Sequence, residues 1–424
     1  MCRQGNSMKI ENILLAPGDG AFFYDDQAAI KRGAQQDGER YVGQPATHGF
    51  TSIRMPASTL SIGLVLDGGF VAWGDMMSVQ YAAASGRDPV FEAGHHARLV
   101  TQHIAPWLVG RSARSFRQNA EAVCEIRAED ASLHSGIQYG ITQALLAAAA
   151  HTNRCAMAEV ICSEYGFPLK ADAVPIFGQS GDERYRNVDK MILKRVDVLP
   201  HGLINSPEKF GANGEKFLEY VTWVTDRVVQ LGAPDYSPTL HFDLYGMVGQ
   251  AFDLSIDRIA DYLGEIEKAA SPLKARIEGP ADFGSFDAHF DGFAKLRQQM
   301  RKNGCALEIV ADEWCNTLAD IEKFVDAGAA DMVQIKMPDM GGIQNSIEAV
   351  RRCHDGGVGA YLGGSCCETD ISARASVHVA VATQADMQLA KPGMGLDEGI
   401  TIVRNEQSRL IAYLNSCGFS ESKY

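Results

Sequence analysis

Four charged residues, each closing a short apolar run, constrain the fold of this chain more than any other feature. They are Asp243 in LHFDLYG, Glu278 in ARIEGP, Asp312 in LEIVADEW and Lys336 in MVQIKMPD. Their intervals of 35, 34 and 24 residues approach the roughly 30 residues that one strand-plus-helix unit occupies in a (β/α)8 barrel. Eight candidate strands run from Val174 onward: VPIFG, VDVLPH, TLHFDLYG, ARIEG, LEIVADEW, MVQIKM, GAYLGGS and MQLAKPG. Helical segments over 213–231, 255–270, 287–303, 317–327, 343–356 and 370–384 separate them. Such alternation demands right-handed parallel connections, and eight units close a barrel. A doubly wound open sheet is the rival, but no GxGxxG turn follows the first strand.

The first third reads differently. Residues 9–30 and 59–81 carry β-type runs punctuated by Asp-Gly and Gly-Gly turns, and helical stretches follow near 90–108, 113–127 and 135–162. The expectation is an α/β chain with two domains. An N-terminal α+β capping domain covers 1–168, with 1–7 an unstructured extension before the start-like Met8-Lys9-Ile10. A barrel domain covers 169–424, its C-terminal tail packing back on the first. At 424 residues the chain exceeds one ordinary core, which also favours two domains.

Composition narrows the class. The net charge of −14 and the lack of a basic cluster give no support to nucleic-acid or anionic-membrane binding. The apolar stretch Ala144–Ala150 is too short to span a bilayer, and no leader pattern predicts secretion. Ten irregularly spaced cysteines suggest reduced thiols rather than a disulfide framework, so a cytoplasmic location is expected.

Side chains two apart on a strand share a face, so His241 pairs with Asp243, Arg276 with Glu278 and Gln334 with Lys336. A charged face on a buried parallel strand is expensive unless it binds something. Any one of the three carboxylates could be a helix cap. Three at matching strand ends predict a hard divalent cation, and oxygen-only ligands suit Mg2+. Lys336, one strand on, is either the salt-bridge partner of Asp312 or a base whose pKa a neighbouring metal lowers. His201 ends the second candidate strand, across the barrel from Lys336, and reads as a second acid/base. Gln179 in FGQSGDERY, Gln334, and the small residues of Gly363-Gly364-Ser365-Cys366 are candidate substrate grips, the last through backbone N–H groups offered to an anion.

The strings FGQSGDERY, DKMILKRVDVLPHGLIN, PTLHFDLYG, ADEWCNT, VQIKMPDMGGIQN, ETDISAR and LAKPGMGLDEG resemble the enolase superfamily and, within it, the methylaspartate ammonia-lyase family. The resemblance spans nearly the whole length. It implies an enolase-superfamily modified (β/α)8 TIM barrel beneath the capping domain. It further implies Mg2+ on Asp243, Glu278 and Asp312, with Lys336 as base for the (3S) substrate and His201 as acid/base for the (3R) diastereomer. Gln179, Gln334, Ser365, Cys366 and Gln80 match substrate-contacting positions, and Leu389 lies near the substrate methyl.

The implied reaction is reversible loss of ammonia from L-threo-3-methylaspartate to give mesaconate. It would run by proton abstraction next to a metal-bound carboxylate, through an enolate (aci-carboxylate) intermediate. A monovalent activator such as K+ and a homodimer are also implied. Ser365 replaces the family's usual Thr, and Cys367 a common polar residue, so substrate tolerance is where this chain is expected to differ. The alternatives are an enolase-superfamily dehydratase or racemase on another carboxylate, a metal-free Schiff-base aldolase using Lys336, and a non-catalytic binding protein.

Overall fold

The computed structural model describes residues 8–128 and 131–418. The expected extension over 1–7 and the last six residues lie outside that range. The N-terminal part is built on an antiparallel sheet of β1 (Ile10–Asp25), β2 (Arg54–Leu66) and β3 (Val71–Met76), with β2 in the middle. Leu60, Ile62, Leu64 and Leu66 alternate along β2 and bury one face. Helix Ser135–Asn153 covers that sheet. Its alanines and glycines let it sit between sheet and neighbouring helices, and it is buried on almost every side. The approach is close at two glycines: a Cβ at Gly74 would collide with the carbonyl oxygen of Gly140, and one at Gly140 with Met76.

Eight parallel strands then close a barrel. They are β4 (Ile176–Phe177), β5 (Val198–His201), β6 (Thr239–Asp243), β7 (Ala275–Glu278), β8 (Glu308–Ala311), β9 (Met332–Ile335), β10 (Gly359–Leu362) and β11 (Met387–Leu389). The ring runs in chain order from β6 through β11 and back through β4 and β5 to β6. All eight strand positions read from the sequence are occupied by strands, and the six helices expected between them form with ends shifted by one or two residues. The outward Phe242 of β6 meets Phe217 and Tyr220 on the buried stripe of helix Glu215–Leu231, with ring centroids 5.2 and 6.0 Å away. Phe177, Val198, Val310, Met332, Tyr361, Met387 and Leu389 fill the interior as a separate cluster.

The N-terminal part departs from the sequence reading in several places. The helix expected over 135–162 is two, Ser135–Asn153 and Met157–Tyr165. Arg154 takes φ +52°, and Glu159 accepts the Ala156 N–H to start the second helix. The β-run over 9–30 stops at Asp25 because Asp26 caps a short helix, Gln27–Lys31, by accepting the Ala29 N–H. The run over 59–81 stops at Met76, and residues 77–81 instead lead as a loop to the barrel mouth. Two small hairpins, pairing Gln35–Asp37 with Arg40–Val42 and Arg127–Ala128 with Ala131–Ser132, were not legible. The C-terminal helix Asp397–Ser416 returns to the N-terminal part, where the Tyr413 hydroxyl donates to Glu159 Oε2 at 3.1 Å.

Candidate active site

Asp243 and Glu278 are the last residues of β6 and β7, while Asp312 and Lys336 sit one residue beyond β8 and β9. All four therefore project at the C-terminal mouth. The register pairs Asp243 with Glu278 directly across the β6–β7 ladder. One carboxylate oxygen from each of Asp243, Glu278 and Asp312 lies within 4.8 Å of the others, and all three residues are buried. Burial, then the charges of Asp243 and Asp312, push the Glu278 carboxyl well above its ordinary range. Three buried acids so close repel unless a cation joins them. Their donor set of oxygens alone, with Gln334 Oε1 and Glu313 Oε2 left unpartnered nearby, fits a hard divalent ion such as Mg2+.

Each carboxylate is also held from behind. His241, two residues before Asp243 on the same face, meets Glu278 Oε2 through Nε2 at 2.9 Å. Burial pushes its imidazole well below the usual range, so the neutral ring shares a single proton with Glu278 across this contact. Gln334 donates its amide to Glu278 Oε1. The Tyr245 N–H donates to Asp243 Oδ1 at 3.2 Å. On Asp312, Lys336 donates to Oδ2 at 2.8 Å and Arg87 donates to Oδ1 at 3.2 Å.

Lys336 thus forms the salt bridge that was one of its two expected roles. Burial and Arg87 push its pKa down, but Asp312 and Asp339 outweigh them and leave it above the usual lysine value. The depressed pKa expected beside a metal is not a property of the protein groups alone. On Asp312 the same balance runs the other way: burial raises its pKa, and Lys336 and Arg87 bring it below the ordinary carboxylate range.

β5 and β9 stand four places apart in a ring of eight, so His201 and Lys336 face one another across the barrel. His201 takes φ +70°, a strained value for a residue with a Cβ. Its Nε2 approaches Asp243 Oδ2 at 3.6 Å and the Tyr245 hydroxyl at 3.3 Å, while Nδ1 has no partner among the described residues.

One cavity is lined by Gln80, Gln179, His201, Asp243, Gln334, Lys336, Ser365, Cys366 and Leu389 together. The candidates of both domains therefore converge on one space, with Glu278 and Asp312 just behind its wall. The glycine-rich turn spends part of its backbone donors on the protein itself. The Gly363 N–H is spent on Ile335 O, that of Ser365 on Glu368 Oε2 at 2.8 Å, and that of Cys367 on Ser365 Oγ at 3.2 Å. Two of the four N–H groups of Gly363-Gly364-Ser365-Cys366 are thus engaged within the protein. The turn is held by the fully buried Lys391–Glu368 ion pair (3.0 Å), and Tyr139 of the N-terminal part donates to Glu368 at 2.6 Å.

Arg87, Tyr81, Tyr245 and Glu313 escaped sequence reasoning. Arg87 lies in a loop with no periodic signal and bridges Asp312 to Asp339 Oδ2 (2.7 Å). Tyr81 and Tyr245 meet edge to face at 5.3 Å over the cavity. Glu313 follows a ligand candidate directly, and burial, then Asp312 and Asp243, push it up to about 7. Only its adjacency to Asp312 could have flagged it.

Comparison with known proteins places the chain in a family. Family models described as methylaspartate ammonia-lyase N-terminus and C-terminus match residues 8–166 and 168–416. Methylaspartate ammonia-lyase 1 of Carboxydothermus hydrogenoformans is 49% identical over 408 residues, covering 96% of this chain and 97% of the relative. A crystal structure of methylaspartate ammonia-lyase from Citrobacter amalonaticus, containing (2S,3S)-3-methylaspartic acid, superposes with TM-score 0.94. It has 48% identity and covers 96% of this chain and 100% of that one. A Mg complex of β-methylaspartase from Clostridium tetanomorphum gives TM-score 0.90 at 46% identity, covering 96% and 100%. At 16% identity, muconate lactonizing enzyme from Pseudomonas fluorescens (TM-score 0.62; 89% and 85% covered) shares the fold alone.

Proposed function

The chain belongs to the methylaspartate ammonia-lyase family of carbon–nitrogen lyases, and on that premise we propose that it carries out the reversible, Mg2+-dependent loss of ammonia from L-threo-3-methylaspartate to give mesaconate. The observation that carries the reading is the opposition of Lys336 and His201 across one cavity lined by Asp243, with Glu278 and Asp312 clustered on that carboxylate. Asp243, Glu278 and Asp312 would hold the cation. Bound there, Mg2+ supplies Lewis-acid stabilisation of negative charge developing on a substrate carboxylate.

The protein's own groups account for the rest. A C–H beside a carboxylate is a very weak acid, so the base must be close and free of its proton. Lys336 meets the second condition once Asp312 is engaged elsewhere, because burial and Arg87, opposed then only by Asp339, push it toward the free amine. It takes the C3 proton of the threo substrate from one face. His201, with its strained backbone and an unpartnered Nδ1, serves the other face and so the (3R) diastereomer. Gln179, Gln334, Ser365, Cys366 and Gln80 hold the two carboxylates and the amino group. Leu389, at the end of β11, supplies an apolar surface for the methyl group. The capping loop over 77–81 closes the mouth and excludes water. A homodimer and a monovalent-cation activator such as K+ belong to the same reading through the family resemblance.

The deciding experiment follows the absorbance of an unsaturated diacid formed from threo-3-methylaspartate, with and without Mg2+. Growth of absorbance only with Mg2+ supports the reading. Turnover that persists in EDTA, or none with either metal condition, removes it.

A further inference from the structure

Gln80 is a cavity residue supplied by the N-terminal domain, and which end of its amide faces inward decides what it can bind. The two ends are sorted by a pair of residues outside the cavity. Gln80 Nε2 donates to Asp25 Oδ2 at 2.9 Å, while Oε1 accepts from the Cys366 thiol, a cavity-lining group, at 3.4 Å. Asp25 is fully buried and gripped at both oxygens by Arg54, Nε to Oδ1 at 2.7 Å and Nη2 to Oδ2 at 2.8 Å. A carboxylate held in such a fork offers only acceptor sites, so the amide end that can face it is the NH2. The backbone is pinned as well: the Asp25 N–H donates to Gln80 O at 2.8 Å, and the Gln80 N–H to Ser365 Oγ at 3.1 Å. Arg54 in turn is 4% exposed in its side chain and stacks over Phe22, Phe23 and Tyr41 at 4.9–5.3 Å.

Resting on the reaction proposed above, we infer that Asp25 is a positioning residue that holds Gln80 carbonyl-inward, so that the cavity offers a neutral acceptor to the nitrogen that leaves or adds. An ammonium group has only donors, and a flipped amide would aim its own N–H bonds at it. The Arg54–Asp25 pair enforces this without adding charge to the cavity, because its two charges cancel inside the N-terminal domain. Recognition of the amine is therefore built from the capping domain, while the carboxylate and base machinery comes from the barrel.

Asp25→Asn tests this, since Asn offers both a donor and an acceptor and no longer sorts the amide. In the addition direction, from mesaconate, the KM for ammonium should rise about tenfold while the KM for mesaconate shifts less than about twofold. In a Gln80→Ala background the same substitution should leave the ammonium KM unchanged. Arg54→Lys, which keeps the charge but loses the two-pronged grip, should give a smaller rise that Gln80→Ala also abolishes, and it carries the cycle if Asp25→Asn does not fold. An unchanged ammonium KM, an equal rise in both KM values, or an effect of the same size with and without Gln80 would overturn the inference. A wild-type protein that makes no mesaconate would instead remove the reaction itself.

Discussion

Arg87 reaches from the N-terminal domain into the barrel mouth and shares Asp312 with Lys336, its guanidinium on Oδ1 and the lysine on Oδ2. One carboxylate thus links the capping domain, the candidate metal site and the candidate base. The second prong of Arg87 lies on Asp339, three residues after Lys336. Replacing Arg87 with Ala leaves two buried carboxylates without this partner, which costs on the order of 3 kcal/mol. The expected result is a protein of lower denaturant midpoint that needs more Mg2+ for half-maximal rate. An unchanged Mg2+ requirement would separate Arg87 from the site.

Lys336→Ala should abolish turnover of threo-3-methylaspartate, because no other amine reaches that wall of the cavity among its lining residues. His201→Ala should spare the threo isomer and remove activity on the erythro one. Steady-state rates on both isomers decide it. Equal losses for His201→Ala would mean that the two walls do not divide the work.

Glu278→Gln separates metal binding from folding. The fold pushes the Glu278 carboxyl upward, chiefly through burial and then through Asp243 and Asp312, so a neutral amide removes repulsion from the metal-free protein. The variant should be inactive yet melt no lower than the parent without metal. Saturating Mg2+, at about 100 times its Kd, should stabilise the parent by about 2.7 kcal/mol and the variant not at all. Calorimetry with and without EDTA makes the comparison. A Mg2+ shift of full size in the variant would take Glu278 out of the ligand set.

His96 gives the N-terminal domain an acid-sensitive element. It is buried, and its ring stacks on Phe91 at 4.2 Å. Burial, then the neighbouring His134, push it from 6.5 down to about 4. The unfolded chain therefore binds the proton more readily than the folded one between those values. The stabilising contribution is complete above about pH 6.5 and is lost progressively as pH falls toward about 4. Between about pH 7.5 and about pH 5 the loss from this group approaches about 2 kcal/mol. Urea unfolding at the two pH values should show a shallower loss for His96→Leu. The same loss in both proteins would remove His96 as the cause.

Much of the barrel and its chemistry could be read from the chain alone. A parallel strand covered on both faces must be almost wholly apolar, so Asp243, Glu278, Asp312 and Lys336 stood out as exceptions that needed a purpose. Their shared end of the barrel followed from strand–helix alternation, which points successive strands the same way. The N-terminal domain was less legible. Its helices break at points such as Arg154, where a left-handed residue interrupts an alanine-rich run with no Gly or Pro to mark it. At the turn before Cys366, small residues suggested backbone donors, and sequence could not say that Glu368, held by Lys391, takes the Ser365 N–H.

What sequence by itself determined is the local part: which strands exist, which face of each is polar, and which residues stand at the mouth. Those follow from a period of two and a repeat of one strand and one helix, both properties of neighbouring residues. Tertiary structure alone decided which charges meet. Arg87 and Asp312 are 225 positions apart, and Gln80 and Cys366 are 286 apart. No periodic pattern encodes such distances. Whether Lys336 is held as an ammonium, and which end of Gln80 faces the cavity, depend on Asp312 and Asp25: the first pair meets because two neighbouring barrel strands end side by side, the second because the end of β1 and the loop after β3 fold together within the N-terminal domain.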